Sequence, residues 1–178
     1  SRCLAFCLEI FFHKKGVSYT LHTIGKRGFS YRILEKVKRI MSKYKMELGS
    51  EGSRSWVTTG SEWEGKIGYS RAIKTGQFVF VSGTVGKNVD GSMPTALVDQ
   101  ATNSLDIISC ALNHLDSSLE EIVKLNIFLK DITQWESISS IIHKAIGNAK
   151  PACCISQMSQ GIDEAVLVEI QVDSVINQ

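Results

Sequence analysis

No run of apolar residues in this sequence approaches the roughly eighteen that a membrane-spanning helix needs. Residues 3–12 are apolar but few, Glu9 interrupts them, and no small-residue cleavage pattern accompanies them. A secretory signal is therefore a poor reading. Five cysteines, an odd number without metal-type spacing, read as reduced thiols in a cytosol-like compartment. No phosphate-binding glycine loop, zinc pattern or serine triad is present. His13, His22, His114 and His143 are scattered, with no i, i+4 pair and no flanking acidic ligand cluster. Metal catalysis finds no support in that pattern, and no cofactor is expected. The expected setting is cytoplasmic, with organelle targeting by a basic N-terminal segment as the alternative.

At 178 residues and 43% hydrophobic content, the chain is long enough for one core and an appendage. Its net charge of +2 hides a split. Residues 1–45 hold eleven Lys/Arg against Glu9 and Glu35, whereas residues 46–178 hold nine against sixteen Asp/Glu. The two parts stand at +9 and −7. This divides the chain into a basic N-terminal extension and linker, residues 1–53, and a compact acidic domain, residues 54–178. Gly49-Ser50-Glu51-Gly52-Ser53 reads as a flexible polar boundary. Within the extension, residues 31–45 place Ile33, Val37, Ile40 and Tyr44 on one helical face. A basic amphipathic helix suits a targeting peptide, a membrane-surface element or a nucleic-acid arm. The plain alternative is sequence upstream of the true start, since Met41 or Met46 could each begin the compact domain.

In the domain, residues 68–83 read G-Y-S-R-A-I-K-T-G-Q-F-V-F-V-S-G. Two β-type runs flank Thr75-Gly76-Gln77, which predicts a β-hairpin. Residues 95–115 carry Leu97, Ala101, Leu105, Ile108, Leu112 and Leu115 at spacings of four and three, the mark of an amphipathic helix. Ser118 and Glu121 fit a capping box on a short turn. Residues 124–130 alternate as a strand, with Leu125, Ile127 and Leu129 on one face. Residues 133–146 return to helical spacing and stop at Gly147. Residues 151–158 and 165–176 are strand-like, and the last puts Val166, Val168, Ile170 and Val172 opposite Leu167, Glu169, Gln171 and Asp173. The order β-β-α-β-α-β-β predicts an α+β fold, with two helices packed on one face of a mixed sheet.

The hairpin also carries a family signature. Its G-Y-S-R-A start and S-G end resemble the opening of the YjgF/RidA family of reactive-intermediate (imine) deaminases, whose usual start is G-P-Y-S-x-A. The resemblance spans about residues 62–176 and implies a chorismate-mutase-like fold, assembled as a homotrimer with small-molecule clefts between subunits. It implies cleft roles for Tyr69, Ser82 and Gly83, although the proline before the tyrosine is absent here. Glu169, in L-V-E-I-Q-V, matches the glutamate that holds or activates the attacking water. Pro151-Ala152 matches the pair that precedes a substrate-gripping arginine, but the next residue is Cys153. A cysteine has neither the charge nor the forked donors of that grip. The chain thus resembles the arginine-lacking branches, as do Asp131, Trp135 and Glu136 in its D-x-x-x-W-E piece.

Read from pattern alone, the same residues have plainer roles. Glu169, Gln171 and Asp173 share one strand face, which suits solvent or an interface. Tyr69 and Ser82 pass as a packing aromatic and a strand-end hydroxyl. On a strand, Tyr69 and Arg71 point the same way; with Tyr69 lining the cleft as the resemblance implies, Arg71 is a candidate anion-binding charge in place of the missing arginine, or else it pairs with an acidic neighbour across a strand or at the trimer interface. Cys153 and Cys154 point to opposite faces, and the resemblance puts Cys153 at the cleft, where the arginine would stand. The leading expectation is hydrolysis of an imine or enamine other than an ordinary 2-imino acid. The alternative is a small-molecule-binding trimer without turnover. RNA cleavage or translation inhibition fits worse, because a net −7 repels phosphate backbones.

Overall fold

The computed structural model of the protein describes residues 12–14, 17–19 and 43–177. The chain forms two compact units, Ser1–Arg39 and Ile40–Gln178. In the first, strands β1 (Phe12–Lys14) and β2 (Val17–Tyr19) pair antiparallel, Phe12 opposite Tyr19. The helix expected over residues 31–45 lies outside the described residues except for its last three. Among the described residues, no helix is long and apolar enough to cross a membrane.

The second unit is built on a seven-stranded sheet. Its strands are β3 (Glu47–Glu51), β4 (Arg54–Thr58), β5 (Ala72–Thr75), β6 (Phe78–Val85), β7 (Ile122–Leu129), β8 (Ala152–Gln157) and β9 (Val168–Val175). Their spatial order is β3-β4-β5-β6-β9-β7-β8. All neighbours are antiparallel except β7 and β8. Those two are joined through a helix, the crossover that parallel strands require. The helices are α1 (Glu62–Ile67), α2 (Leu97–His114) and α3 (Trp135–Ile146). Helix α2 lies on β6 and β9 with α3 beside it.

Alternation decides which sheet face is covered. Val168, Ile170 and Val172 of β9, Leu125, Ile127 and Leu129 of β7, and Val79 and Val81 of β6 are all buried with Ile108 and Leu112 of α2. Each such aliphatic side chain contributes about 1.5–3 kcal/mol by leaving water. The opposite face carries Glu169, Gln171 and Asp173, as their alternation requires. On that face Phe78 and Phe80 stack 6.2 Å apart and remain exposed.

The expected hairpin is present, with Thr75 opposite Phe78 across a two-residue turn whose first residue, Gly76, has φ +57°. The capping box forms as read: the Glu121 carboxylate accepts from the Ser118 amide at 3.1 Å. Two elements were not foreseen. Residues 49–53 are not a linker; they belong to the β3–β4 hairpin, which turns at Gly52 (φ +57°). Its strands fit because Gly49 lets the Trp56 ring lie across β3, where a Cβ would meet the ring at 2.6 Å. The short helix α1 follows, capped by Ser61, whose Oγ accepts from the Trp63 amide, and ended by Gly68 at φ +81°. It delivers the chain to Tyr69 and Arg71.

Candidate functional site

The site begins with a buried carboxylate. Glu64 sits three residues after its helix cap, the spacing from which a glutamate reaches back toward the preceding backbone. Its Oε2 accepts from the amides of Thr59 at 2.8 Å and Gly60 at 3.1 Å, and its Oε1 accepts from Thr59 Oγ1 at 2.9 Å. The remaining partner is Arg71, whose Nη2 donates to Glu64 Oε1 at 3.4 Å. The two side chains are only 4% and 9% exposed. Burial of an arginine at that depth requires such a counter-charge.

Arg71 is the hub. Its Nη1 donates to the Gly83 carbonyl at 2.6 Å and to Thr84 Oγ1 at 3.2 Å. Its Nη2 also donates to the Tyr69 hydroxyl at 3.2 Å, and the guanidinium carbon lies 5.5 Å from the Tyr69 ring centre. All four terminal N–H groups therefore face protein acceptors. Backbone bonds complete the junction: Arg71 N–H to the Val57 carbonyl and Ser82 N–H to the Arg71 carbonyl. The Ser82 hydroxyl donates to the Ser70 carbonyl at 2.8 Å.

A β-bulge brings Glu169 to this hub. Val81 pairs with Val172 and Thr84 with Ile170, so β6 carries one residue more than β9 between those rungs. Ser82 and Gly83 occupy the bulge. The Glu169 carboxylate lies directly over Gly83: a Cβ there would stand 1.8 Å from Oε1 and 2.8 Å from the carboxyl carbon. Only a glycine leaves room for it. Among the described residues, the Glu169 carboxylate has no hydrogen-bond or ion-pair partner of its own. It is half-buried on the sheet face opposite α2, where the next residue along the strand on that face, Gln171, accepts from Asn126 Nδ2 at 3.3 Å.

The fold thus gathers Tyr69, Arg71, Ser82, Gly83 and Glu169. It does not gather Cys153. Cys153 pairs with Leu125, which pairs with Val172, so it belongs to the opposite face of the sheet, two strands from β9. Two strand spacings amount to roughly 10 Å. Cys154 instead shares the Glu169 face, in one row with Asn126 and Gln171. Arg71 also departs from expectation. It lies in the bend before β5 rather than on the strand, and its donors hold the protein together instead of facing outward. Its acidic partner is Glu64, which comes from helix α1 of the same chain and not from across a strand or a trimer interface. That residue and Thr84 escaped sequence reasoning, although the S-x-x-E spacing of Ser61 and Glu64 was a visible signal.

Cys153 and Cys110, the latter in helix α2, are not primed as nucleophiles. Partial burial, and then the neighbouring Cys154, push the Cys153 thiol above its ordinary value. Cys110, deep in α2, is pushed up to about 11 by burial and by Asp106. A thiol needs the opposite shift to be reactive at neutral pH.

Residues 60–176 match the protein-family model described as Endoribonuclease L-PSP. Protein HMF1 of Saccharomyces cerevisiae is 31% identical over 108 residues, covering 57% of this chain and 84% of that protein. A RutC family protein of Pyrococcus abyssi is 28% identical over 109 residues, 58% of this chain and 82% of the other. Among solved structures, a Mycobacterium tuberculosis member of the YjgF/YER057c/UK114 family superposes with a TM-score of 0.65 at 31% identity. That superposition covers 70% of this chain and 100% of the other.

Proposed function

The chain belongs to the Endoribonuclease L-PSP family, the YjgF/RidA family of the sequence resemblance, and we propose that it hydrolyses a small, uncharged imine or enamine. The observation that carries this reading is the Glu169 carboxylate, without a partner among the described residues and held over Gly83 on the sheet face opposite α2. Glu169 takes a proton from water as its oxygen adds to the imine carbon, giving a carbinolamine. That proton passes from Glu169 to the nitrogen to complete the carbinolamine; the hydroxyl proton then moves through Glu169 to the nitrogen as the C–N bond breaks, and ammonia leaves a carbonyl compound. An enamine first takes a proton at carbon to reach the same imine. Tyr69 and the Ser82–Gly83 bulge form the wall against which the substrate is held.

The charge pattern selects against a carboxylate substrate. Arg71 is neutralised by Glu64 and engaged at every terminal donor. The position matching the family's arginine is Cys153. Since Cys153 and Glu169 of one chain occupy opposite sheet faces, they serve one cleft only if it forms between copies, as in the homotrimer the resemblance implies. RNA cleavage, which the family's description names, is opposed by the net −7 of residues 46–178.

The test is ammonia release by the purified full chain from imines generated in situ, beside Glu169→Ala and Cys153→Arg. Turnover of uncharged imines that disappears in Glu169→Ala is expected, as is a gain on 2-imino acids in Cys153→Arg. Turnover that survives Glu169→Ala refutes the mechanism. Binding without turnover in the unmodified protein makes the cleft a receptor site, the reading favoured by the missing arginine.

A further inference from the structure

We propose that the buried Glu64–Arg71 pair is a positioning device: it fixes the Gly83 peptide and, through it, the place of the Glu169 carboxylate. The inference rests on Glu169 being the reacting group, and it gives Arg71 a role other than gripping a ligand.

Three observations carry it. The bulge removes Ser82 and Gly83 from the regular pairing that fixes the rest of β6 against β9. Something else must hold that peptide, and the shortest contact of the cluster, 2.6 Å, is Arg71 Nη1 to the Gly83 carbonyl. Second, Gly83 sets where the carboxylate lies, because Oε1 occupies space that any Cβ there would claim. A shift of the Gly83 peptide is therefore a shift of the surface on which Glu169 rests. Third, the far end of the clamp is rooted. Glu64 is tied to the Thr59 and Gly60 amides, and the Arg71 amide to the Val57 carbonyl. Val57 and Thr59 precede the family-matched residues, so the strand pair ahead of residue 60 supports the site from outside that span.

An arginine suits this task for geometric reasons. Its planar fork reaches the bulge with one nitrogen and the Glu64–Tyr69 side with the other, which neither a lysine nor an amide side chain does. The charge of Glu64 balances it, leaving the region around Glu169 without a competing free guanidinium.

The experiment has two independent arms, both on the full chain. In nitrogen-15 NMR, a guanidinium held at four points gives separate, slowly exchanging Nη–H resonances for Arg71. In Arg71→Lys, the Gly83 amide resonance is expected to move and its hydrogen to exchange faster. In the same variant kcat for imine hydrolysis falls on the order of tenfold to a hundredfold, while KM changes by less than about threefold. Averaged Arg71 resonances in the unmodified protein overturn the proposal. So does a folded Arg71→Lys protein with unchanged Gly83 resonance and kcat, or one in which KM alone rises. Should Arg71→Lys fail to fold, Thr84→Val removes one acceptor at nearly constant shape. It is then expected to move the Gly83 resonance and lower kcat by about threefold, and no change in either overturns the clamp. If the unmodified protein hydrolyses no imine, the chemistry assigned to Glu169 falls, and the resonances alone decide the clamp.

Discussion

Replacing Gly83 with alanine tests the site at its tightest point. The added Cβ would stand 1.8 Å from Glu169 Oε1, whereas real Cβ contacts do not fall below 3.0 Å, so Oε1 must move by at least about 1.2 Å. The obstructing atoms are the end of a flexible side chain, and Gly83 is not among the positive-φ glycines, so the backbone itself accepts alanine. Turning the glutamate off its rotamer costs about 1 kcal/mol, a loss of a few degrees in melting temperature for a chain of this size. The effect on chemistry is larger. Misplacing a reacting group by about 1 Å lowers a rate on the order of a hundredfold, equivalent to about 2.7 kcal/mol of barrier. Ammonia release from an uncharged imine, measured beside a thermal melt, separates the two effects. The expected outcome is a folded protein with roughly 1% of the original kcat. Activity within about threefold of the unmodified protein would refute the placement of Glu169 as the reacting group. Collapse of the fold would show instead that the substitution displaces backbone rather than the carboxylate.

Other consequences are equally open to measurement. Glu64→Ala leaves a buried arginine without its counter-charge and is expected to cost about 3–5 kcal/mol in urea unfolding, far more than a surface ion-pair loss. Asp131 is held below the ordinary carboxyl value by hydrogen bonds from the Thr133 hydroxyl, the Gln134 side chain and the Thr133 amide. Its folded-state value is the depressed one, so its contribution is present above the ordinary carboxyl range and is lost as pH falls through the folded value. Asp131→Ala is therefore expected to lower the melting temperature at neutral pH, with the gap closing as pH falls through the depressed folded-state value. Peptide mapping after brief alkylation at pH 8 should find Cys153 and Cys154 modified while Cys110 reacts only on unfolding, because the first two are exposed and the third is buried. Equal labelling of all three would contradict that packing.

The strength of the local signals decided how much of the fold was legible. Leu97 to Leu115 announced α2 because its apolar spacing repeats over several turns. Alternation through Leu125–Leu129 and Val166–Val172 likewise announced β7 and β9, since a slip of one residue would expose every aliphatic. The β3–β4 hairpin escaped notice because Gly49, Ser50, Gly52 and Ser53 have the composition of a linker. Only the Trp56 ring packing across Gly49 makes them a strand pair. Helix α1 was too short for periodicity to register.

For the site, sequence supplied the residue types and tertiary structure supplied their partners. The motif pieces marked Tyr69, Arg71, Ser82, Gly83 and Glu169, and alternation assigned Glu169 to the polar face of its strand. Sequence could not locate the bulge, because an extra residue in β6 is defined only against β9, nearly ninety residues later. Nor could it tell a ligand-facing Arg71 from a locked one, since that depends on Glu64 and the Gly83 carbonyl meeting the same guanidinium. Cys153 shows the same limit: its motif suggested the cleft, and the register with Leu125 turned it to the other face. Periodicity is a property of the chain itself; register and long-range hydrogen bonds exist only once distant strands have paired.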